Sequence, residues 1–293
     1  MPSDSDISAA RALIEIAAHH LAAIGIESAR LDAEVLMAEA AGATREAVIA
    51  GSIGLSKAIL NDFNAMIERR EKREPVAYIV GHKEFYSLDF EVNPAVLIPR
   101  PETEFVVSAA LECIAGKANA RVLDIGTGSG AIAISIAVNS PSAQITAVDI
   151  SADSLAVAWR NARPHRVEDR VTLRRADCFD VLDGGPALET FDLIVSNPPY
   201  LDDTEIAALE PDVRSYEPRV ALSAGAGGFD IWRRIADGAT RHLTSGGELI
   251  AEVGLGQAAE VLKLVEEAGL RIATVINDFA GHPRVVRARR AGT

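Results

Sequence analysis

The sequence predicts an α/β protein in which a small helical bundle and a β-hairpin precede a doubly wound, mostly parallel sheet. Apolar residues recur at helical spacing in the first quarter of the chain, and strands and helices alternate from about Glu102 onward. The length of 293 residues suits one large domain or two ordinary ones. We therefore expect a helical domain at residues 1–74, a hairpin linker at 75–100 and an α/β domain at 101–293.

Composition and charge narrow the possible functions. Apolar residues make up 48% of the chain, which is enough to build a core and to exclude disorder as the main state. Asp and Glu number 42 against 29 Lys and Arg, giving a formal net charge of −13. Phosphate contacts need a basic face, so we expect no direct binding of nucleic acid. A protein partner that itself holds RNA is compatible with this charge.

Cysteine content and hydropathy favour a cytoplasmic protein. Cys113 and Cys178 are the two cysteines, too few for a disulfide framework or a zinc cluster, and no metal is expected. No apolar run approaches the roughly 20 residues that cross a bilayer, so no membrane partner is expected. The acidic, polar start is unlike a signal or transit peptide. We expect a monomer in the reducing cytoplasm.

Three apolar stripes predict the helical bundle. The first lies between Ala10 and Leu21, and the second begins near Asp32 and ends at Gly42. The third contains Phe63. Helices with one apolar face bury that face by packing against one another, so these three segments are expected to form a small bundle.

The next segment changes in composition and predicts strands. Tyr78–Val80 and Phe85–Val92 are rich in aromatic and β-branched residues, and Gly81 lies between them. We interpret both runs as short strands of a β-hairpin that links the two domains. Most of the aromatic side chains here are expected to pack between those domains.

From Glu102 onward, strands alternate with helices over most of the chain, as in a doubly wound sheet. The predicted strands are 121–124, 144–149, 171–175, 192–196, 248–253, 271–276 and 284–289. The predicted helices are 130–138, 152–162, 229–243 and 257–268. Open α/β sheets bind ligands outside the carboxyl ends of their strands, so the residues that follow each strand are the first candidates for a site.

The first strand of this sheet ends in a glycine-rich loop, Asp124-Ile125-Gly126-Thr127-Gly128-Ser129-Gly130. Glycine permits a positive φ and lets a ligand approach the backbone closely. The spacing G-x-G-x-G differs from the G-x-G-x-x-G of dinucleotide sites, and the carboxylate of Asp124 would repel a pyrophosphate. A cationic ligand such as S-adenosylmethionine is therefore favoured over NAD.

Two further strand ends carry acids in the order that a nucleoside site needs. Asp149 ends the next strand, where a carboxylate can accept hydrogen bonds from both ribose hydroxyls. Asp177 and Cys178 follow the third strand, where an adenine edge can be bound. The alternative is a turn with incidental acids and no nucleotide. Three strand-end features in this order favour the nucleoside site.

The loop Asn197-Pro198-Pro199-Tyr200 follows another apolar strand. Its prolines remove two backbone donors and hold Asn197 extended, so the Asn197 side-chain oxygen and nearby carbonyls become fixed acceptors. Such acceptors suit a planar NH2 group, and Tyr200 adds a flat surface. An amide or base nitrogen is a poor nucleophile, and holding it in line with a methyl donor is the main help an enzyme can give. The alternative is a structural Pro-Pro turn.

These features resemble the PrmC/HemK family of N5-glutamine methyltransferases, which methylate the glutamine of the Gly-Gly-Gln motif in peptide chain release factors. The matching segments are Gly81–Tyr86, Leu97–Glu104, the glycine loop, Asn197–Tyr200, Tyr216–Pro218, Ala221–Leu222 and Asp278–Val286. The resemblance implies a Rossmann-like, class I S-adenosylmethionine-dependent methyltransferase fold with a seven-stranded sheet. It also implies S-adenosylhomocysteine as a product and release factors as protein partners.

The resemblance and the strand-end reasoning together give the candidate site. The catalytic candidates are Asn197, Pro198 and Tyr200. The cofactor candidates are Asp124, Gly126, Thr127, Gly128, Ser129, Gly130, Asp149, Asp177, Cys178, Phe179 and Asn197. The substrate candidates are Asn197, Pro198, Pro199, Tyr200, Glu102 and Glu104, with helix capping as the alternative for both glutamates. Cys178 stands where family members often place an aromatic residue, so Phe179 is a second candidate for the adenine contact.

Three alternative functions are weighed against this one. Enzymes that methylate exocyclic amines of nucleic-acid bases share the Asn-Pro-Pro-Tyr loop, but the acidic charge disfavours them here. A sister family methylates a glutamine of a ribosomal large-subunit protein and carries a Ser-Pro-Ile type sequence after Pro-Arg, whereas Pro101–Glu104 follows Arg100 in this chain. A cofactor-binding assembly protein without turnover is disfavoured by the intact Asn197 loop.

Overall fold

A computed structural model describes residues 4–180, 182 and 188–292. The chain divides into two compact units, Met1–Gly81 with Pro211–Tyr216 and His82–Glu210 with Glu217–Thr293. The partition differs from the expected boundaries because the hairpin belongs to the second unit and a short later segment belongs to the first. In the described ranges, no helix has the length and apolar character that crossing a bilayer would require.

The helices and strands are numbered here in chain order. The helices are α1 (Asp4–Ala23), α2 (Ala29–Ala41), α3 (Arg45–Ile49), α4 (Lys57–Glu71), α5 (Val76–Val80), α6 (Glu104–Ile114), α7 (Ala131–Asn139), α8 (Ala152–Ala162), α9 (Asp203–Ala208), α10 (Pro211–Tyr216), α11 (Asp230–His242) and α12 (Ala258–Glu267). The strands are β1 (His82–Phe85), β2 (Leu88–Glu91), β3 (Arg121–Ile125), β4 (Gln144–Asp149), β5 (Val171–Arg175), β6 (Phe191–Ser196), β7 (Leu243–Glu252), β8 (Leu270–Asn277) and β9 (Pro283–Arg290). Short 3-10 turns cover Pro101–Thr103, Arg219–Ala221 and Ala226–Gly228.

The first unit is the predicted helical bundle, built from α1 to α5 and completed by α10. Leu21, Leu36 and Phe63, one from each predicted apolar stripe, are 2% exposed or less and share one core. Gly42 ends α2 in the left-handed region, at φ 58°, where glycine carries no Cβ penalty. The Ser56 hydroxyl caps the start of α4 by accepting from the backbone N–H of Ile59.

A buried arginine joins two carboxylates inside this unit. The Nε of Arg70 lies 2.7 Å from Oδ2 of Asp32, and its Nη1 lies 2.7 Å from Oδ2 of Asp212. The Arg70 side chain is 5% exposed, so its charge depends on these partners. Asp32 comes from α2, Arg70 from α4 and Asp212 from α10, so this ion pair fastens the late helix to the early ones.

The prediction of a strand at Tyr78–Val80 is wrong, because these residues belong to helix α5. Pro75 precedes the helix with φ −58°, and Gly81 ends it at φ 85°. Proline presets the backbone for a first helical turn and glycine takes the left-handed end, so the two residues bracket a single turn. Burial of Tyr78 and Ile79 outweighs the weak strand propensity of the run.

A β-hairpin is present in this segment, as predicted, but it is formed by β1 and β2, which pair antiparallel, and not by the two runs expected from composition. Tyr86 and Ser87 form its turn with φ values of 52° and 60°. Positive φ at both central positions matches the twist of a two-residue hairpin. Phe85 and Phe90 of the hairpin pack into the core of the second unit, rather than between domains as expected.

The second unit contains the predicted seven-stranded, mostly parallel sheet, in the order β5-β4-β3-β6-β7-β9-β8. Strand β9 runs antiparallel to both β7 and β8, and the other pairs are parallel. The strand order reverses at β3, which pairs with β4 on one side and β6 on the other. A crevice forms at such a switch point, beyond the carboxyl ends of the strands.

Candidate active site

One cavity of about 280 Å³ lies in the second unit at the switch point of the sheet. It brings together the glycine loop, the next two strand ends and the proline loop. Its lining includes these predicted site residues: Gly126, Thr127, Gly128, Ser129, Asp149, Asp177, Cys178, Asn197, Pro198 and Pro199. The lining does not include Glu102, Glu104, Asp124, Gly130, Phe179 or Tyr200. Across the described ranges, no cluster of His, Cys, Asp and Glu is arranged to hold a metal ion.

The glycines of the loop have two different uses. Gly126 and Gly128 have φ values of 71° and 55°, and a Cβ added to either would meet nothing within 4 Å. They leave open space in front of the backbone. Gly130 has φ 83°, but its Cβ would lie 2.8 Å from Cδ1 of Ile134 and 3.2 Å from Cβ of Ala158. Gly130 therefore allows α7 and α8 to pack closely.

Asp124 is fully buried behind the loop. Its Oδ2 accepts a 2.6 Å hydrogen bond from the Thr127 hydroxyl, whereas its Oδ1 receives none in the described structure. Burial raises the pKa of Asp124 to about 7 and the charge of Asp149 adds to the shift, while hydrogen bonds from the Thr127 hydroxyl and the Ala133 backbone oppose it. A buried carboxylate oxygen without a partner calls for a donor, which a ligand ammonium group would supply.

Asp149 fixes the other side of the loop. Its Oδ2 accepts from the Gly128 N–H at 2.9 Å, and its Oδ1 accepts from the Ser151 N–H at 2.9 Å. Burial raises the pKa of Asp149, and these backbone donors oppose the shift. Each carboxylate oxygen has a second lone pair, so Asp149 can hold the loop and still accept from two adjacent hydroxyls.

The two candidates for an adenine contact, both of which follow strand β5, have different surroundings. Cys178 lines the cavity at φ 54°, next to Asp177, which pairs with Arg234 at 2.9 Å. Phe179 instead stacks on His242 with ring centroids 4.9 Å apart, inside the core. Burial raises the pKa of the Cys178 thiol to about 11, so the thiol stays protonated and presents an uncharged surface.

The proline loop is held at both ends. The Asn197 side chain donates through Nδ2 to the Thr103 hydroxyl at 3.0 Å. The Tyr200 carbonyl accepts from Gln257 Nε2 at 2.7 Å, and Gly228 and Gly254 leave room for Tyr200 that a Cβ would fill. Burial raises the pKa of Tyr200 to about 12. The phenol is therefore neutral near pH 7.

The two glutamates chosen from the sequence lie beside the cavity rather than in its lining. Glu104 begins α6, and its Oε1 accepts from the backbone N–H of Tyr86 in the hairpin turn at 2.9 Å. Between them Thr103 does line the cavity, as does the nearby Arg100, whose Nη2 lies 2.6 Å from Oε1 of buried Glu217. Sequence reasoning passed over Thr103, Arg100 and Glu217, although all three fall in segments that carried the family resemblance.

Comparison with known proteins identifies the family of this chain. Residues 12–81 match the PrmC N-terminal domain family and residues 105–210 match the Methyltransferase small domain family. The release factor glutamine methyltransferase of Geobacter sulfurreducens is 40% identical over 290 residues, covering 99% of each chain. The chain belongs to the release factor glutamine methyltransferase family. The Rhodopirellula baltica member is 41% identical over 273 residues, 91% of each chain.

Solved structures show the same methyltransferase fold in more distant proteins. The hMettl16 catalytic domain, in complex with MAT2A 3'UTR hairpin 6, aligns with a TM-score of 0.56 over 75% of this chain and 81% of that one. At 14% sequence identity the likeness concerns the fold alone. As a member of the release factor glutamine methyltransferase family, the chain is a methyltransferase, and its fold and family imply use of S-adenosylmethionine.

Proposed function

We propose that this chain transfers a methyl group from S-adenosylmethionine to the side-chain amide nitrogen of the Gly-Gly-Gln glutamine in peptide chain release factors. The observation that carries the proposal is a single cavity that holds both the glycine loop with Asp149 and the Asn197 loop. Identity of 40% along 99% of a release factor glutamine methyltransferase supports the choice of substrate. The reaction belongs to translation, and we place it in the cytoplasm with a monomeric enzyme.

The described residues fit the cofactor part by part. Asp124 lies buried behind the glycine loop, where its charge and its unpaired Oδ1 would attract an ammonium group bound in front of the loop, and Gly126 and Gly128 leave the backbone open to a ligand. Asp149 would hold the ribose, and Cys178 with Asp177 would border the adenine. When bound, the cofactor supplies an electrophilic methyl group on a sulfonium sulfur.

The chain itself contributes positioning. Asn197 Oδ1 and the carbonyls of the proline loop would accept the two N–H bonds of the glutamine NH2 group, which turns the nitrogen lone pair toward the cavity. Methyl transfer to this nitrogen would form the N–CH3 bond as the S–CH3 bond breaks, and the nitrogen would then lose a proton to water. Tyr200 stays neutral because burial raises its pKa to about 12, so it would clamp the side chain rather than accept that proton.

The direct test measures transfer of labelled methyl groups. Purified release factor is compared with its Gln→Ala variant in the Gly-Gly-Gln loop, and ribosomal protein and stripped DNA and RNA are run beside them. We expect label on the wild-type release factor alone. Label on ribosomal protein or nucleic acid would show that the substrate is one of these and not a release factor. Cofactor binding without label on any of them would indicate a cofactor-binding assembly protein without turnover.

Replacing Asp149 with alanine is expected to weaken cofactor binding by roughly 10–100-fold, because hydrogen bonds to a charged acceptor contribute about 1.5–3 kcal/mol. Isothermal titration with S-adenosylmethionine measures the dissociation constant. Asp153→Ala, in the exposed first turn of α8, is the matched control and should bind as the wild type does. An unchanged constant for Asp149→Ala would remove this residue from the ribose site.

Cofactor affinity is expected to depend on pH through Asp124. Its pKa of about 7 means that the carboxyl is protonated below pH 7, and an ammonium group prefers the ionised form. The dissociation constant should therefore rise as pH falls below 7, approaching about tenfold per pH unit. Asp124→Asn should flatten the profile, as should methylthioadenosine, which lacks the ammonium. A flat wild-type profile from pH 5.5 to 8 would exclude this contact.

A further inference from the structure

Two hydrogen bonds in series connect Asn197 to a buried carboxylate. Asn197 Nδ2 donates to Thr103 Oγ1 at 3.0 Å, and Thr103 Oγ1 donates to Glu252 Oε2 at 2.6 Å. Thr103 is 4% exposed and Glu252 is 2% exposed. Strands β6 and β7 pair Ser196 with Ala251, so the next residues, Asn197 and Glu252, reach the same edge of the sheet.

Glu252 accepts its hydrogen bond from the Thr103 hydroxyl, whereas the two arginines near it form ion pairs with other carboxylates. Arg100 is occupied by Glu217 at 2.6 Å, and Arg284 by Asp278 at 2.9 Å. Both guanidinium groups still act on Glu252 through space, as do the carboxyl of Glu102 and the phenol of Tyr200. A carboxylate buried in this way needs a hydrogen-bond donor, and the Thr103 hydroxyl is placed to be that donor.

The direction of these bonds decides which end of the Asn197 amide faces the cavity. An ionised carboxylate can only accept, so the Thr103 proton points to Glu252. The Thr103 oxygen then has only lone pairs left and can only accept from Asn197. Asn197 must therefore turn its NH2 toward Thr103, which leaves Oδ1 free for a ligand. The opposite orientation would set the Asn197 side-chain oxygen against the Thr103 oxygen, two acceptors with no proton between them.

We propose that Thr103 and Glu252 are positioning residues that hold the Asn197 amide in the one orientation that presents Oδ1 to the substrate amide. The inference rests on the role of Asn197 proposed above. Without the hydroxyl, the Asn197 side chain loses its anchor and can present NH2 to the NH2 of the substrate. Neither Thr103 nor Glu252 needs to touch the substrate or the methyl group for this effect.

Protonation of Glu252 would undo the arrangement. Burial raises its pKa to about 7, the charge of Glu102 acts in the same direction, and the Thr103 hydrogen bond, Arg284 and Arg100 oppose the shift. A protonated Glu252 can donate to Thr103, whose own proton then turns to Asn197. The amide can flip in that state, so kcat at saturating substrates should fall as pH drops below 7.

The test compares Thr103→Val, which keeps the shape and loses the hydroxyl, with Thr103→Ser, which keeps the hydroxyl. We expect kcat to fall by on the order of 10–100-fold in the valine variant and to stay within about threefold of wild type in the serine variant. The dissociation constant for S-adenosylmethionine should stay near wild type in both. The thermal midpoint of Thr103→Val should fall but stay above the assay temperature, because buried Glu252 loses its hydrogen-bond donor. Asn197→Ala is assayed in parallel.

Several results would overturn the inference. Wild-type kcat in Thr103→Val beside an inactive Asn197→Ala would refute the positioning role while leaving the proposed function intact. Equal losses in the valine and serine variants, or loss of cofactor binding in Thr103→Val, would show that Thr103 is merely structural. An active Asn197→Ala would instead refute the role proposed for Asn197 itself.

Glu252→Gln gives an independent measurement, because glutamine has the same shape but does not titrate. We expect a lower kcat than wild type and no fall in kcat between pH 7.5 and 6, since the group that causes the fall is gone. A wild-type pH profile in this variant would refute the role of Glu252. Because kcat is measured at saturating cofactor, the profile is separate from the effect of Asp124 on cofactor affinity.

Discussion

Asn197→Ala is expected to lower kcat by on the order of 10²–10³-fold, since removing one positioned partner of the reacting group costs about 2.7–4 kcal/mol in comparable sites. The amide nitrogen would lose the acceptor that orients its lone pair. The Asn197 side chain lines the cavity beside the glycine loop, but that loop and Asp149 keep their own hydrogen bonds. Affinity for S-adenosylmethionine should therefore change by only a few-fold.

Initial rates with release factor and labelled cofactor give kcat, and equilibrium dialysis gives the affinity. Asn139→Ala is a matched control, because Asn139 also donates through Nδ2, to the Ser135 carbonyl in α7, and does not line the cavity. That variant should keep wild-type kcat. A kcat within threefold of wild type in Asn197→Ala would sink the positioning mechanism.

Arg70→Met is expected to destabilise the first unit by about 3–5 kcal/mol, because it leaves the buried carboxylate of Asp32 without the guanidinium that compensates it. Asp212 keeps a second partner, since Nε of Arg73 lies 2.7 Å from its Oδ1. The pair with Asp32 is almost fully buried, with side-chain exposures of 5% and 8%. Asp212 on the same guanidinium is 21% exposed, so solvent relieves part of its share. Urea unfolding followed by circular dichroism measures the free energy of unfolding.

Two variants make this stability measurement specific. Arg11→Met removes an exposed arginine of the same unit and should cost less than about 1 kcal/mol. Adding Asp32→Asn to Arg70→Met should restore part of the loss, because the uncompensated buried charge disappears while Asp212 stays paired with Arg73. Equal destabilisation by Arg70→Met and Arg11→Met would show that the buried ion pair contributes little.

The sequence was sufficient to predict the sheet and the residues at the ends of its strands. Parallel strands place all their carboxyl ends on one edge, so Gly126, Asp149 and Asn197 could be brought together without knowing any distance. The bond between Thr103 and Glu252 could not be predicted in this way. It joins residues 149 positions apart and depends on the register of β6 against β7, which the hydrophobic pattern does not encode.

Local backbone geometry explains the remaining differences. The choice between Cys178 and Phe179 depends on a positive φ at Cys178, a conformation that the residue type does not signal. Tyr78–Val80 has strand-like composition, but Pro75 and Gly81 impose a helical turn. Residues 211–216 have no pattern that would assign them to the helical unit, and the buried partner that holds them, Arg70, lies far away in the chain.

That assignment of α10 affects how members of this family can be recombined. The helical unit is assembled from two separate stretches of polypeptide, so exchanging residues 1–81 between two relatives would not exchange the whole unit. A chimaera made with one crossover point would combine Arg70 from one parent with Asp212 from the other. Transplanting Pro211–Tyr216 together with the first 81 residues keeps this ion pair within one parental sequence, and such double-crossover chimaeras are the ones expected to keep native stability.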